Sequence, residues 1–469
     1  MALPVDWSTL QGFNALESSL DQLTNKTPHH TDEDFLVTIE GSCPTGFEVS
    51  LENEIREKIP SSTTVKHQGR VFFDVPVSQI DNVLMLRCMD NACVLIGVRS
   101  NFEFSSDIEI GLNQINELLY DITSSTGNSR LAWEKGIIAW NEIFQFRKTG
   151  RDNWNNCISE LTNFNKKQNN IEQNNSQLNE GVQIKDKGES NKVPDIIQKE
   201  PIAKFRATCY RSGANCHPFG SQDVARSFGG AINDKFGWEV SMKDFDIEIV
   251  ITIDVNQIYV GIGLTKVSLF KRNIEHFGPT TLRATICASM LQLADIQPGE
   301  IVVDPMCGGG SIPIEGAIAF KKAFYIGADC HEKAVFRSTE NFKSCSKSLN
   351  KSNDSDTLSS LSGDILQWDV TRIPLRDNSV DVFITDFPFG KRSGSKTDNR
   401  VLYPKIMKSM ARVVKPCTGR AVILTQDKNS MFKAQGMFNK FWKINRQIKC
   451  NIGGLKALVF IMTRTQNIP

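Results

Sequence analysis

The sequence predicts an α/β protein whose C-terminal part is a parallel, doubly wound sheet and whose N-terminal part begins with a ferredoxin-like unit. Three observations carry this reading. From about residue 300, short apolar runs alternate with stretches of helical period, the pattern of strands joined by helices on both sheet faces. Between Phe35 and Val98 the elements read β-α-β-β-α-β. A carboxylate (Asp304, Asp329, Asp364) is expected at the end of each of the first three C-terminal strands, the first followed by a run of glycines.

Taken in order, residues 1–34 are polar and without periodicity, a tail. Phe35 to Cys43 reads as a strand. Phe47, Leu51, Ile55 and Ile59 recur at i+4 and predict a helix that Pro60 ends. Two strands meeting near Gln68-Gly69, a short helix over Ile80–Arg87 and a strand over Ala92–Val98 complete the first unit, 35–104. A second unit, 105–270, opens with helices near 108–122 and 132–146. It is interrupted at 163–200 by an Asn/Gln/Lys/Glu/Ser-rich insert too poor in apolar groups to offset the entropy of ordering. It resumes with a strand from Ala203, a helix over 222–236 with Val224, Phe228 and Ile232 on one face, and strands 245–254 and 259–264. The third unit is 271–469.

Composition excludes several classes. A chain of 469 residues with 40% hydrophobic and 23% charged residues can build two to four globular cores. The formal net charge of +1 gives no overall basic field, so any nucleic-acid contact must come from local patches. Met1–Trp7 has neither a basic nor an apolar leader region, and no run approaches the roughly 18 apolar residues of a spanning helix. The 12 cysteines contain no C-x-x-C pair, which points to reduced thiols in the cytoplasm, with a nuclear pool allowed. Cys209, Cys216 and His217 lack a fourth ligand and have irregular spacing, so they read as loop packing and no metal site is expected.

Ile301-Val302-Val303 is a buried strand ending at Asp304, and Pro305-Met306-Cys307-Gly308-Gly309-Gly310 turns into a helix near Ser311. Such turns bring backbone amides close to a ligand at the carboxyl edge of a sheet. A nucleotide P-loop needs Gly-Lys-Ser/Thr, which is absent, and a dinucleotide G-x-G-x-x-G started at Gly308 fails at Pro313. An acidic strand end followed by Gly-x-Gly fits the cofactor loop of methyltransferase sheets, with S-adenosylmethionine as ligand. Asp304, Cys307, Gly308 and Gly310 would line it. Asp329 would accept from ribose hydroxyls, Asp364 would meet the adenine amine, and Ile365 would pack on the adenine ring.

A fourth strand, Val380–Thr385, runs into Asp386-Phe387-Pro388-Phe389-Gly390. This resembles the Asp/Asn-Pro-Pro-Tyr/Phe loop of enzymes that methylate planar exocyclic amines, with Phe387 in place of the first proline. The lone pair of such an amine is delocalised into its ring. A carboxylate (Asp386) and a backbone carbonyl, that of Phe387, can accept the two hydrogens and turn the lone pair toward the methyl donor. Pro388 fixes the loop, so the effect is positioning. Phe389 can stack on a base extruded from its helix. Lys391, Arg392 and Lys396 form a basic loop suited to phosphate contact.

These stretches together, with Ile312-Pro313-Ile314-Glu315-Gly316-Ala317, Phe245–Ile249, Val260–Thr265 and Arg272–Arg283, resemble the THUMP-domain tRNA guanine-N2-methyltransferases. The resemblance covers residues 35–469 apart from the insert. It implies a Rossmann-like S-adenosylmethionine-dependent methyltransferase sheet at 271–469, preceded by the ferredoxin-like domain and by a THUMP domain at 105–270. It further implies a tRNA partner gripped at the acceptor end, methylation of guanosine 6 with 7 as a neighbouring candidate, and a small zinc-ribbon activator subunit. Lys204, Arg206 and Arg211 are the phosphate-contact candidates on the THUMP side. Two other readings stay open: a guanine of a small nuclear RNA as target, and a non-catalytic RNA-binding scaffold.

Overall fold

The computed structural model describes residues 9–10, 34–122, 128–147, 203–213, 216–279, 281–352, 361–389 and 396–467. Most of the polar tail, the insert at 163–200, Lys391 and Arg392 therefore lie outside the described residues.

The first unit forms as its periodicity predicts: β1 (Leu36–Ser42), a helix over Glu48–Lys58, β2 (Thr64–His67), β3 (Arg70–Pro76), a helix over Ile80–Leu84 and β4 (Asn91–Arg99). The order β2-β3-β1-β4 within the sheet is that of a split βαβ unit. The sheet does not stop there. β5 (Lys204–Ser212), β6 (Glu239–Val240), β7 (Ile247–Asp254) and β8 (Gln257–Gly263) extend it to the order β2-β3-β1-β4-β8-β7-β5-β6. The expected division at 104/105 thus separates two stretches of sequence but not two sheets. β4 is buried from Ala92 to Val98, with core residues on both faces, so it is an interior strand that needs a partner on each edge; β8 supplies the second, pairing Cys93 with Gly263 through Arg99 with Ile258. Helices Ile108–Ile122, Asn128–Arg147 and Ser221–Phe236 cover the sheet around a core that includes Phe205, Phe228, Trp140 and Ile262.

The C-terminal sheet has the order β11-β10-β9-β12-β13-β15-β14, built from β9 (Ile301–Asp304), β10 (Phe324–Asp329), β11 (Gly363–Gln367), β12 (Val382–Asp386), β13 (Arg420–Thr425), β14 (Trp442–Ile452) and β15 (Leu455–Arg464). β11 to β13 are parallel, and β15 and β14 run antiparallel. Helices 284–293, 311–319 and 332–352 contribute to one face and helices 396–413 and 428–437 to the other, each around its own core. No described helix is long and apolar enough to cross a membrane.

The two sheets are locked together. Phe47, at the start of the first helix, is fully buried in the core of the C-terminal sheet. Ser50 donates to the Ser289 carbonyl at 3.2 Å, and Thr285 to Asp90 at 2.6 Å. At the centre of the interface Glu315 receives Arg87 at 2.5 and 3.0 Å, Arg272 at 3.0 Å and Asn273 at 2.6 Å.

Candidate active site

β9 and β12 are hydrogen-bonded neighbours, with Val302 opposite Val382 and Val303 opposite Phe383. The turn after Asp304 and the turn after Asp386 therefore leave the same edge of the sheet from adjacent strands. In an open parallel sheet this is the place where the connections diverge and a crevice opens.

The first turn is held by its own backbone. The Cys307 amide donates to the Ala328 carbonyl at 2.7 Å, the Gly310 amide to the Cys307 carbonyl at 2.8 Å, and the Gly308 amide to Asp329 at 3.1 Å. Gly310 caps the next helix at φ +83°, and a Cβ there would stand 3.0 Å from that of Ser338, so both conformation and packing demand glycine. Beside Gly308 the space is open. Asp304 is almost fully buried and accepts from the Met306 amide at 3.2 Å; burial, with the charge of Asp386 behind it, pushes its carboxyl well above the usual range. Burial likewise pushes Asp386 up to about 7, the Asp329 charge adding to it. The site thus sets Asp304 and Asp386 where they resist ionising together, an arrangement that suits a cationic ligand such as a sulfonium. Asp329 also accepts from the His331 amide at 2.9 Å. Cys307 buries its thiol.

Asp364 is a correction. It pairs with Ile326, whereas Asp329 pairs with Gln367, so Asp364 sits three residues below the carboxyl edge, exposed, accepting the Ile365 amide. Ile365 lies level with Gly327 and crowds the space over that glycine. The strand simply continues further than its glycine-acid start suggests. The acid just past its end is Asp369, which accepts the Thr371 amide at 2.9 Å and the Thr371 hydroxyl at 2.8 Å; that amide holds its carboxyl below the usual range.

In the second turn Phe387 is buried, its ring edge-on to Tyr403 at 4.8 Å, and its amide donates to the Leu424 carbonyl at 2.9 Å. The Pro388 carbonyl is doubly engaged, by the Tyr403 hydroxyl at 2.6 Å and the Asn399 amide at 3.0 Å. No donor among the described residues engages the Phe387 carbonyl. Phe389 is half-buried at the rim. The turn therefore presents Asp386 and the Phe387 carbonyl from a backbone fixed one residue further on. Asn399 and Tyr403 lie on a helix, 11 and 15 residues beyond Pro388, with no motif to flag them. Lys396 begins that helix.

The basic candidates on β5 divide. Arg206 pairs with Glu248 at 2.8 Å and lies over the Phe245 ring at 4.0 Å, opposite its partner on β7, so it is an internal tie and not a free phosphate contact. Lys204 stands 3.8 Å from exposed Asp244. Arg211 approaches His217 at 3.4 Å, and the other nitrogen of that ring meets the Val255 carbonyl at 2.6 Å while the ring stacks on Phe219. His217 is thus committed to loop packing.

Residues 272–456 match the RMKL-like methyltransferase domain and residues 184–263 the THUMP domain. The chain is 37% identical to the tRNA (guanine(6)-N(2))-methyltransferase THUMP3 of Bos taurus over 97% of its own length and 94% of that protein. It is 26% identical to the U6 snRNA (guanine-N(2))-methyltransferase THUMPD2 of Bos taurus over 83% of its length and 78% of that protein. The fold is shared with TrmN from Thermus thermophilus, with a TM-score of 0.62 at 19% identity over 91% of this chain and 99% of that one. With likeness along nearly its whole length and both domain matches, the chain belongs to the THUMP3 family of S-adenosylmethionine-dependent tRNA guanine-N2-methyltransferases.

Proposed function

We propose that this protein transfers the methyl group of S-adenosylmethionine to the exocyclic amine of guanosine 6 in the acceptor stem of tRNA. The observation that carries this is the adjacency of the two turns, with Asp386 and the Phe387 carbonyl on the strand next to the glycine turn. Asp304, Gly308, Gly310 and Asp329 would hold the cofactor, and Asp369 is better placed than Asp364 for its adenine amine. The bound cofactor supplies an electrophilic methyl group. Asp386 and the Phe387 carbonyl accept the two amine hydrogens, so the lone pair points across the crevice, and Phe389 stacks on the extruded base. As the amine gains the methyl group, its surplus proton leaves toward Asp386, whose raised affinity makes it a competent acceptor. A small zinc-ribbon activator subunit and a cytoplasmic location complete the reading, the latter in keeping with free cysteines among the described residues.

The stronger likeness to the tRNA enzyme favours tRNA over small nuclear RNA. The test is Asp386→Ala on defined tRNA transcripts, with and without the activator. Methyl transfer is expected to vanish while cofactor and tRNA binding persist; full retention of transfer would overturn the mechanism. Product mapping separates position 6 from 7, and U6 RNA as sole methyl acceptor would overturn the substrate.

A further inference from the structure

The near-zero net charge conceals a strong asymmetry. From Lys428 to the C-terminus the sequence holds eight Lys and Arg residues and no Asp or Glu, against 54 basic and 53 acidic residues overall. The first 427 residues therefore carry seven more acids than bases, and the compensating charge is gathered in one element pair and the helix before it.

The fold then selects among those cations. β13 ends at Thr425, which pairs with Leu458, yet β15 begins at Leu455, and β14 runs on to Ile452 opposite it. The hairpin therefore overshoots the active-site edge of the sheet by three residues, about 10 Å at strand rise. Its tip is Gly453-Gly454, at φ +56° and +87°, a two-residue turn of the kind that only glycine or asparagine forms readily. Lys456 lies on this overhang, Lys449 stands at its base opposite Leu458 and so level with Thr425, and Lys428 follows Thr425 on the same edge; all three are exposed and make no ion pair among the described residues. β15 is two strands from β12, so Lys456 is offset sideways from Asp386 by only about 10 Å.

We infer that the β14–β15 hairpin, through Lys449 and Lys456 with Lys428 beside them, is a phosphate-binding tongue for the RNA strand that flanks the extruded base. An extruded nucleotide needs its neighbours held while it leaves the stack, and point-charge lysines on a rigid hairpin do this without reading sequence. The inference rests on the RNA substrate proposed above.

The test measures tRNA affinity of the full chain against salt concentration for wild type, the double variant Lys449→Gln/Lys456→Gln, and Lys443→Gln. Lys443 lies on the same strand toward the opposite edge of the sheet, roughly 20 Å away, and serves as a single-charge control remote from the tip. The double variant is expected to bind about tenfold more weakly near physiological salt, with the log–log salt slope reduced by about 1.5 to 2. Lys443→Gln should leave both unchanged, and cofactor affinity should be the same in all three. An unchanged slope in the double variant, or an equal loss in Lys443→Gln, overturns the tongue, even if association with an acidic protein changes. A wild-type chain that binds tRNA without methylating it sinks the catalytic proposal and leaves the tongue testable by the same slopes.

Discussion

The side-chain amide of Asn341 donates to the Gly309 carbonyl at 2.9 Å, so the helix over Glu332–Ser352 holds the glycine turn. The same amide donates to the His276 carbonyl at 3.1 Å, and its oxygen accepts the Glu275 and His276 amides at 3.1 and 2.8 Å. One fully buried side chain thus fastens the turn to the segment that leads in from the N-terminal sheet. Asn341→Ala would leave four backbone groups unpaired. A loss of about 2–4 kcal/mol of stability is expected, since unmet buried groups cost about 1–3 kcal/mol each and some will rehydrate. Cofactor affinity by calorimetry should fall at least tenfold; unchanged affinity in a folded variant would show that the turn holds its shape alone.

Asp386 links activity and stability through one proton. Its folded pKa, about 7, lies above that of an unfolded aspartate, so the folded state binds the extra proton between roughly pH 4 and 7. Stability contributed this way is fully present below about pH 4, is lost progressively as pH rises through that window, and is gone above about 7. Activity follows the opposite sign, because the ionised form accepts the amine hydrogens. kcat should therefore rise with pH to a plateau above about 7. Asp386→Asn should melt several degrees higher than wild type at pH 8, with the gap closing toward pH 5. A wild-type advantage at pH 8 would contradict the buried-carboxylate account.

Much of this was readable in the sequence because it is written locally. Period-2 and period-3.6 patterns placed the strands around Asp304, Asp329 and Asp386, and the acidic strand end with its glycines marked the turn that leaves β9. What escaped is written non-locally. Asp364 looked like a strand-end acid, but where a strand ends depends on how far its neighbour continues, and β10 carries β11 on to Gln367. Arg206 looked like a free cation because Glu248, its cross-strand partner, is 42 residues away. Asn341, Tyr403 and Glu315 belong to helices whose periodicity reports burial and says nothing of which backbone group the side chain meets. The union of two predicted domains into one sheet needed the β4–β8 register, which no local pattern encodes.

Glu315 ties the modules electrostatically. Burial alone would push its carboxyl up, but the Arg87 and Arg272 guanidiniums outweigh this and hold it below the usual range. Its contribution is then present above the unfolded pKa, near 4.3, and disappears as pH falls through the lower folded value. Glu315→Ala, which removes the shared carboxylate partner of two largely buried guanidiniums, should cost about 3 kcal/mol. Replacing Glu315 and Arg87 together should cost less than the sum of the single changes, and a double-mutant cycle on urea melts reads the difference. Strict additivity would mean that the pair is not coupled.

Tyr403 offers the sharpest separation between holding the fold and aiming the chemistry. Its hydroxyl joins the Pro388 carbonyl at 2.6 Å to the Thr425 side chain at 2.8 Å, while its ring braces Phe387. Tyr403→Phe keeps the ring and the packing and removes only the hydroxyl. Asn399 still holds the Pro388 carbonyl, so the turn stays in place but can rock, carrying the Phe387 carbonyl away from the amine hydrogen it accepts. Small misplacements at a reacting centre cost up to about a hundredfold, and a turn with one remaining anchor should lose on the order of tenfold in kcat. Neither cofactor nor tRNA touches this hydroxyl in the proposed arrangement, so both dissociation constants should hold. A purely structural role would instead lower the melting temperature while single-turnover kcat per folded molecule stayed at the wild-type value, and that pattern would remove Tyr403 from the positioning machinery.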